Sequence, residues 1–186
     1  FYLLGSPFFW LTIPFPSEAV PYLMGPLLIL KFACASATGA HYIRRYVTRG
    51  DAAVLGGLLY AFSGFSVYNI FFNHFHEAIV FFPLMLWALD EYIATRRRGV
   101  FAFTVFLCCF VNYYFFVGQV TFTLIYFFLR LFTRSFKLNL RDFLLLFCEA
   151  VVGVLMSCVL LVPTMLAVVQ NPRVDNPPNG WSAVVY

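Results

Sequence analysis

Long apolar runs cut at intervals by clusters of arginine constrain this chain more than any other feature. A helix needs about twenty apolar residues to cross a hydrocarbon layer about 30 Å thick, and the stretch from Tyr22 to Val169 supplies such runs one after another. The joints between them are of two kinds. Three joints carry Arg44, Arg45 and Arg49; Arg96, Arg97 and Arg98; and Arg130, Arg134, Lys137 and Arg141. Those clusters hold ten of the twelve basic residues and occupy every second joint. Basic loops stay on the cytoplasmic side of a membrane, so the pattern predicts a chain threaded back and forth with these three loops inside.

Only 11% of the residues are charged, 62% are hydrophobic, and the mean hydropathy is +0.86. A soluble domain carries about a quarter charged residues. The fold class expected is all-α, a polytopic transmembrane helix bundle of about six spans. The net charge of +4 and the basic pI of about 8.9 come from the inner loops, so nucleic acid is not an expected partner. The partner expected from composition is membrane lipid.

Residues 1–21 hold Pro7, Pro14, Pro16 and Pro21, a density that prevents a regular spanning helix. With Phe8, Phe9 and Trp10 they read as an extracytoplasmic interfacial segment. The bundle covers 22–169, with spans expected at 22–43, 51–71, 75–92 and 143–169, the last broken near Pro163. Residues 100–133 hold either two short spans turning at Asn112–Gln119 or a re-entrant pair. Residues 170–186 read as an extracytoplasmic polar tail. Asp51 is expected to cap the second span. Ala35 and Gly39, Ser36 and Ala40, and the ridge Ala53, Gly57 and Ala61 are small residues at helical spacing, which let helix backbones approach closely. The chain opens with Phe1 and with no basic stretch before an apolar core, as expected of a piece of a longer protein. The five cysteines lie in apolar runs without a Cys-x-x-Cys pair and are expected to be small buried hydrophobes.

Polar chemistry collects at Asn73-His74-Phe75-His76-Glu77, between two apolar runs and on the side the charge pattern makes external. Polar groups in such company are costly unless paired, hydrated or used. His74 and Glu77 share a face on a helical turn, whereas an extended backbone aligns His74 with His76. Three readings stay open: a hydrated helix cap, contact with a ligand or phosphate, and a metal site of His74, His76 and Glu77 holding a divalent cation. Lys31 lies inside the first span, where a charge either marks function or pairs with an acid such as Glu149. Asn112-Tyr113-Tyr114 carries hydrogen-bonding groups at the next outer turn, or forms part of an aromatic belt. No fixed repeat, Gly-rich phosphate loop, Gly-x-Ser-x-Gly elbow or His-Glu-x-x-His helix is present.

One series of residues resembles a known family. It runs Tyr2-Leu3-Leu4-Gly5-Ser6-Pro7-Phe8, Phe15-Pro16, Leu30-Lys31-Phe32, Tyr60-Ala61-Phe62-Ser63-Gly64-Phe65 and Asn73. It continues with Phe82-Pro83-Leu84, Leu89-Asp90, Asn112-Tyr113-Tyr114-Phe115 and Leu161-Val162-Pro163. In order and spacing this resembles the YfhO family of bacterial multi-span membrane proteins, along nearly the whole chain. That family is regarded as similar to the GT-C glycosyltransferases. The resemblance therefore implies a GT-C-like bundle in the bacterial cytoplasmic membrane and a polyprenyl-phosphate sugar donor. It implies glycosylation of the lipoteichoic acid type, with an acidic residue in the first outer loop as base or metal ligand. That acid is expected upstream of Phe1, leaving Glu18 and Glu77 as the catalytic candidates within the chain. Lys31, Asn73, His74 and His76 are the candidates for holding the donor phosphate. A transporter or flippase of lipid-linked cargo, or a non-catalytic membrane scaffold, is the alternative.

Overall fold

A computed structural model describes residues 4–132 and 139–169 of the chain. Among these the protein is helical and has no strand. In order come α1 (Pro7–Trp10), α2 (Val20–Ile43), α3 (Gly50–Ala61), α4 (Gly64–Tyr68), α5 (His76–Thr95), α6 (Val100–Val111), α7 (Tyr113–Phe132) and α8 (Leu140–Val169). A single 3₁₀ turn, Asn73–Phe75, leads into α5. Among the described residues five stretches are long and apolar enough to cross a membrane: α2, α3 with α4, α5, α7 and α8. The protein is a polytopic helical membrane bundle. The tail 170–186 and the loop residues Arg134 and Lys137 lie outside the described residues.

The expectation of about six spans becomes five long helices and one short one. α6 has 12 residues, about 18 Å at 1.5 Å per residue, well short of the hydrocarbon thickness. The turn expected over Asn112–Gln119 shrinks to Asn112 alone, and Gln119 lies inside α7. Asn112 is extended, and its Oδ1 accepts from the Phe115 N–H 3.3 Å away, so the side chain starts α7 as it ends α6. At its other end α6 has no side-chain cap of its own. Glu149 of α8 supplies one: its Oε1 accepts from Gly99 N at 2.9 Å and its Oε2 from Ala102 N at 3.4 Å. An acid held against the positive end of a helix satisfies donors that would otherwise be orphaned in an apolar layer. α6 and α8 run side by side in the same direction, with Ser157 Oγ donating to Phe106 O further along.

Two other sequence expectations are corrected. α8 passes through Pro163 as one helix instead of breaking there. Membrane helices tolerate an internal proline; Pro163 leaves Val159 O without its helical donor, and Thr164 Oγ1 donates to the next carbonyl, Leu160 O, at 2.8 Å. Helix α3 begins at Gly50 with Arg49 as its cap residue, so Asp51 lies in the first turn without capping it. The second span also breaks once, at Phe62–Ser63, before α4.

The small-residue ridges meet as expected. Ala53, Gly57 and Ala61 are buried against α2. A Cβ on Gly57 would lie 2.3 Å from Ser36 O and 2.7 Å from Ala40 N, so only glycine permits this approach. A second cluster, around Met85, Leu89, Tyr92, Phe101, Val105 and Phe127, joins α5, α6 and α7. Pro83 sits inside α5 and cannot donate to Ile79 O. Tyr60 on α3 makes that bond instead, its hydroxyl donating to Ile79 O at 2.8 Å. Of the cysteines, Cys108 and Cys109 are buried, Cys34 and Cys158 are half-buried and Cys148 is exposed, so the expectation of buried cysteines holds for part of the set.

The basic joints gather at one end. Arg45 pairs with Glu91 at 3.0 Å, Arg96 pairs with Asp142 at 3.1 Å, and the Arg130 guanidinium lies 5.5 Å from the Tyr46 ring centre. The Asn73–Glu77 stretch lies at the opposite end.

Candidate functional site

Lys31 and Glu77 are the centre of the polar chemistry at the end opposite the arginines. Lys31 sits midway along α2 and Glu77 in the first turn of α5, and their side chains meet with Nζ 2.7 Å from Oε1. Both are buried, at 5% and 1% exposure. The Lys31 ammonium also donates to Asn73 Oδ1 at 2.7 Å and to Asn73 O at 3.0 Å. Its three N–H groups thus all have acceptors. Asn73 is held in turn, its Nδ2 donating to Met24 O at 3.2 Å. Neither partner of such a pair tolerates burial alone. The sequence reading matched Lys31 with Glu149 or another acid; the acid is Glu77, while Glu149 serves α6.

The N-terminal segment closes over this pair. Ser6 Oγ donates to Glu77 Oε1 at 2.6 Å while accepting from Phe9 N, so one hydroxyl starts α1 and anchors the carboxylate. The Phe8 ring centre lies 5.5 Å from Lys31 Nζ, within cation–π range. Gly5 brings the segment in: a Cβ there would lie 2.1 Å from Phe110 O. Ser6, Phe8 and Thr12 are buried, whereas Leu11, Ile13 and Phe15 are exposed. The proline-rich stretch therefore sends one edge into the bundle.

The two histidines part company. His76 is 1% exposed, tilted against the Phe32 ring, with Nε2 3.0 Å from Ser66 O. His74 is half-buried in the 3₁₀ turn, edge-on to Phe75 at 4.4 Å. Among the described residues no group of three or more His, Cys, Asp or Glu side chains comes together to hold a metal ion. The triad His74, His76 and Glu77 is thus not assembled. Glu18 is exposed in the turn before α2, away from any ion pair among the described residues. Ser6, Ser66 and Gln119 were not singled out by the sequence reading as site residues. Ser6 stood only within the quoted motif at the N-terminal end, and neither Ser66 nor Gln119 carries a charge to draw notice.

A second buried acid marks the arginine end. Asp90 accepts from the Tyr126 hydroxyl, 2.9 and 3.0 Å from its two oxygens, and from Tyr46. Burial, then the bond to Asp90, push the Tyr46 hydroxyl above the ordinary phenol range. Lys31–Glu77 ties α2 to α5, and Arg45–Glu91 ties the turn just after α2 to the last part of α5. The order of the two contacts shows that α2 and α5 run in the same direction.

No curated protein and no solved structure matches the chain. A family profile does match, that of bacterial membrane protein YfhO, over residues 1–183. The match takes in the whole described bundle, from the segment that covers Lys31 and Glu77 to the end of α8, and the chain belongs to the YfhO family of bacterial membrane proteins.

Proposed function

We propose that this protein is a membrane glycosyltransferase-like protein of the bacterial cytoplasmic membrane. It uses a polyprenyl-phosphate-linked sugar in cell-envelope glycosylation of the lipoteichoic acid type. The observation that carries the reading is the buried Lys31–Glu77 pair with its shell of Asn73 and Ser6, at the end opposite the arginines. Basic loops mark the cytoplasmic side, so this end faces outward, where a lipid-linked donor presents its sugar. The family resemblance supports the same side for the chemistry.

The roles follow from the contacts. Lys31 is bonded to both Asn73 and Glu77, so Asn73 fixes the ammonium that holds the carboxylate in place. His74, at the half-exposed rim, is the residue suited to meet the donor phosphate, since a neutral imidazole donates one hydrogen bond.

The test uses the protein as the cell makes it. His74→Ala, His76→Ala and Glu77→Gln are prepared singly, membrane levels are matched, and transfer from a polyprenyl-phosphate sugar is measured. At least one replacement is expected to cut turnover on the order of a hundredfold, the scale of losing a well-placed electrostatic contact. Near-normal transfer in all three would remove the site from this turn.

A further inference from the structure

At the outer end the joint before α5 meets the start of α7 around a cavity of about 420 Å³, within the size range of small-ligand pockets. Five side chains wall it: Phe65 of α4, Asn69 just after α4, Phe75 of the 3₁₀ turn, and Tyr114 and Phe115 at the start of α7. None of the five is charged. The rings hold one another in place. Phe115 meets Phe75 at 4.8 Å, Tyr114 at 5.3 Å and Phe65 at 5.5 Å between ring centres, each pair close to perpendicular. Aromatic pairs favour this arrangement. Phe75 also stacks on Phe72 at 5.1 Å. The walls are therefore set before any ligand arrives, which lowers the cost of binding one.

Two polar groups stand among the rings. Asn69 Nδ2 donates to Phe65 O at 2.8 Å, which orients the amide and leaves Oδ1 as an acceptor. Tyr114 is 66% exposed, and its hydroxyl both gives and takes hydrogen bonds. A phosphate brings acceptor oxygens and finds no cation among these walls. A quaternary ammonium suits aromatic rings but has no hydrogen to give Asn69 Oδ1. A hydrocarbon chain leaves the amide and the phenol unmatched. A sugar ring matches both kinds of wall. Its C–H face packs on aromatic rings, whose faces carry negative partial charge, and its hydroxyls pair with the amide and the phenol.

We propose that this aromatic cavity is a sugar-binding subsite, in which the rings of Phe75, Tyr114 and Phe115 pack against the sugar and Asn69 Oδ1 accepts from one of its hydroxyls. The subsite rests on the proposed function for the identity of its ligand. Its place suits that function. His74, the residue given to the donor phosphate, lies edge-on to Phe75 at 4.4 Å, and Phe75 is a wall of the cavity. Phosphate and sugar contacts are then neighbours across one ring, as the two groups are in the donor. Tyr114 becomes a ligand contact as well as a member of an interfacial belt.

The probes are a polyprenyl-phosphoryl hexose and the same polyprenyl phosphate without the sugar, titrated into the full-length protein in nanodiscs. The wild type is expected to bind the hexose lipid about tenfold more tightly, the scale of one hydrogen bond and its packing. The double variant Asn69→Ala with Tyr114→Ala is expected to close most of that gap while leaving the affinity for bare polyprenyl phosphate unchanged. Neither side chain is buried, so the bundle is expected to keep its fold. Should that variant fail to fold, Asn69→Ala with Tyr114→Phe keeps the ring, removes both polar groups and is expected to narrow the gap in the same way. Equal wild-type affinity for the two lipids would overturn the subsite, return the rings to an interfacial belt and leave the proposed function standing. A tenfold gap that survives in the folded double variant would overturn it as well. Binding of neither lipid would bring down the subsite together with the function it rests on.

Discussion

At the scale of single residues, Lys31 and Glu77 stand or fall together. A buried ammonium that loses its carboxylate keeps its charge and loses the partner that made burial tolerable. Glu77→Ala is therefore expected to cost about 3–5 kcal/mol of stability. The double replacement Lys31→Met with Glu77→Gln removes both charges and is expected to recover most of that loss. Thermal unfolding of the three variants in one detergent checks it, and a double variant as unstable as the single one would contradict the pairing. Glu149 makes a smaller case of the same kind. Glu149→Leu strips the cap from α6 and is expected to cost about 1–2 kcal/mol, the range for a partly buried charge at a helix end. A change within about 0.5 kcal/mol of the wild type, the range of ordinary surface substitutions, would mean that water caps α6. Both acids stand out in the sequence as charges in apolar company. Which groups they pair with did not, because Glu77 and Lys31 are 46 positions apart and Glu149 and Gly99 are 50, and nothing local encodes which helices become neighbours.

At the scale of helices, close approach and backbone repair govern the packing. Gly57 faces Ser36 and Ala40, and the Ala53, Gly57 and Ala61 ridge was legible because small residues at four-residue spacing have one physical use in a membrane. Gly57→Leu is expected to push α3 off α2 and lower stability by about 1–3 kcal/mol. A fully tolerated leucine would contradict the contact. Tyr60→Phe removes the hydroxyl that serves Ile79 O at the proline in α5 and is expected to cost about 1–3 kcal/mol, because a buried carbonyl is left unbonded. Unfolding measurements on both variants separate steric loss from hydrogen-bond loss. The length of α6 was not legible. Residues 100–133 are mostly apolar and long enough for two short spans, and the fit of Asn112 between α6 and α7 makes one helix short and the other full-length. Proline misled at Pro163 as well, where the sequence shows a missing donor and the helix nevertheless continues.

At the scale of the whole molecule, the chain is polarised. Arginines, Asp90 and paired tyrosines gather at one end; Ser6, Lys31, Asn73 and Glu77 gather at the other. This division was the most legible property of the sequence, because ten basic residues in alternate joints leave few ways to thread a membrane. The architecture of the polar end was legible only in part: His74, His76, Glu77, Asn73 and Lys31 were named in advance. The inward fold of the Ser6 segment and the separation of the two histidines depend on contacts between distant parts of the chain. The central claim is that the Lys31–Glu77 end faces outside the cell, where a lipid-linked sugar is presented. Ser17, exposed before α2, and Thr48, exposed between α2 and α3, report on the two ends with a small change to cysteine. With the native cysteines removed, Ser17→Cys is expected to react with a membrane-impermeant thiol reagent in intact cells, and Thr48→Cys only after permeabilisation. Labelling of Thr48→Cys but not Ser17→Cys in intact cells would put the polar end in the cytoplasm and contradict the account.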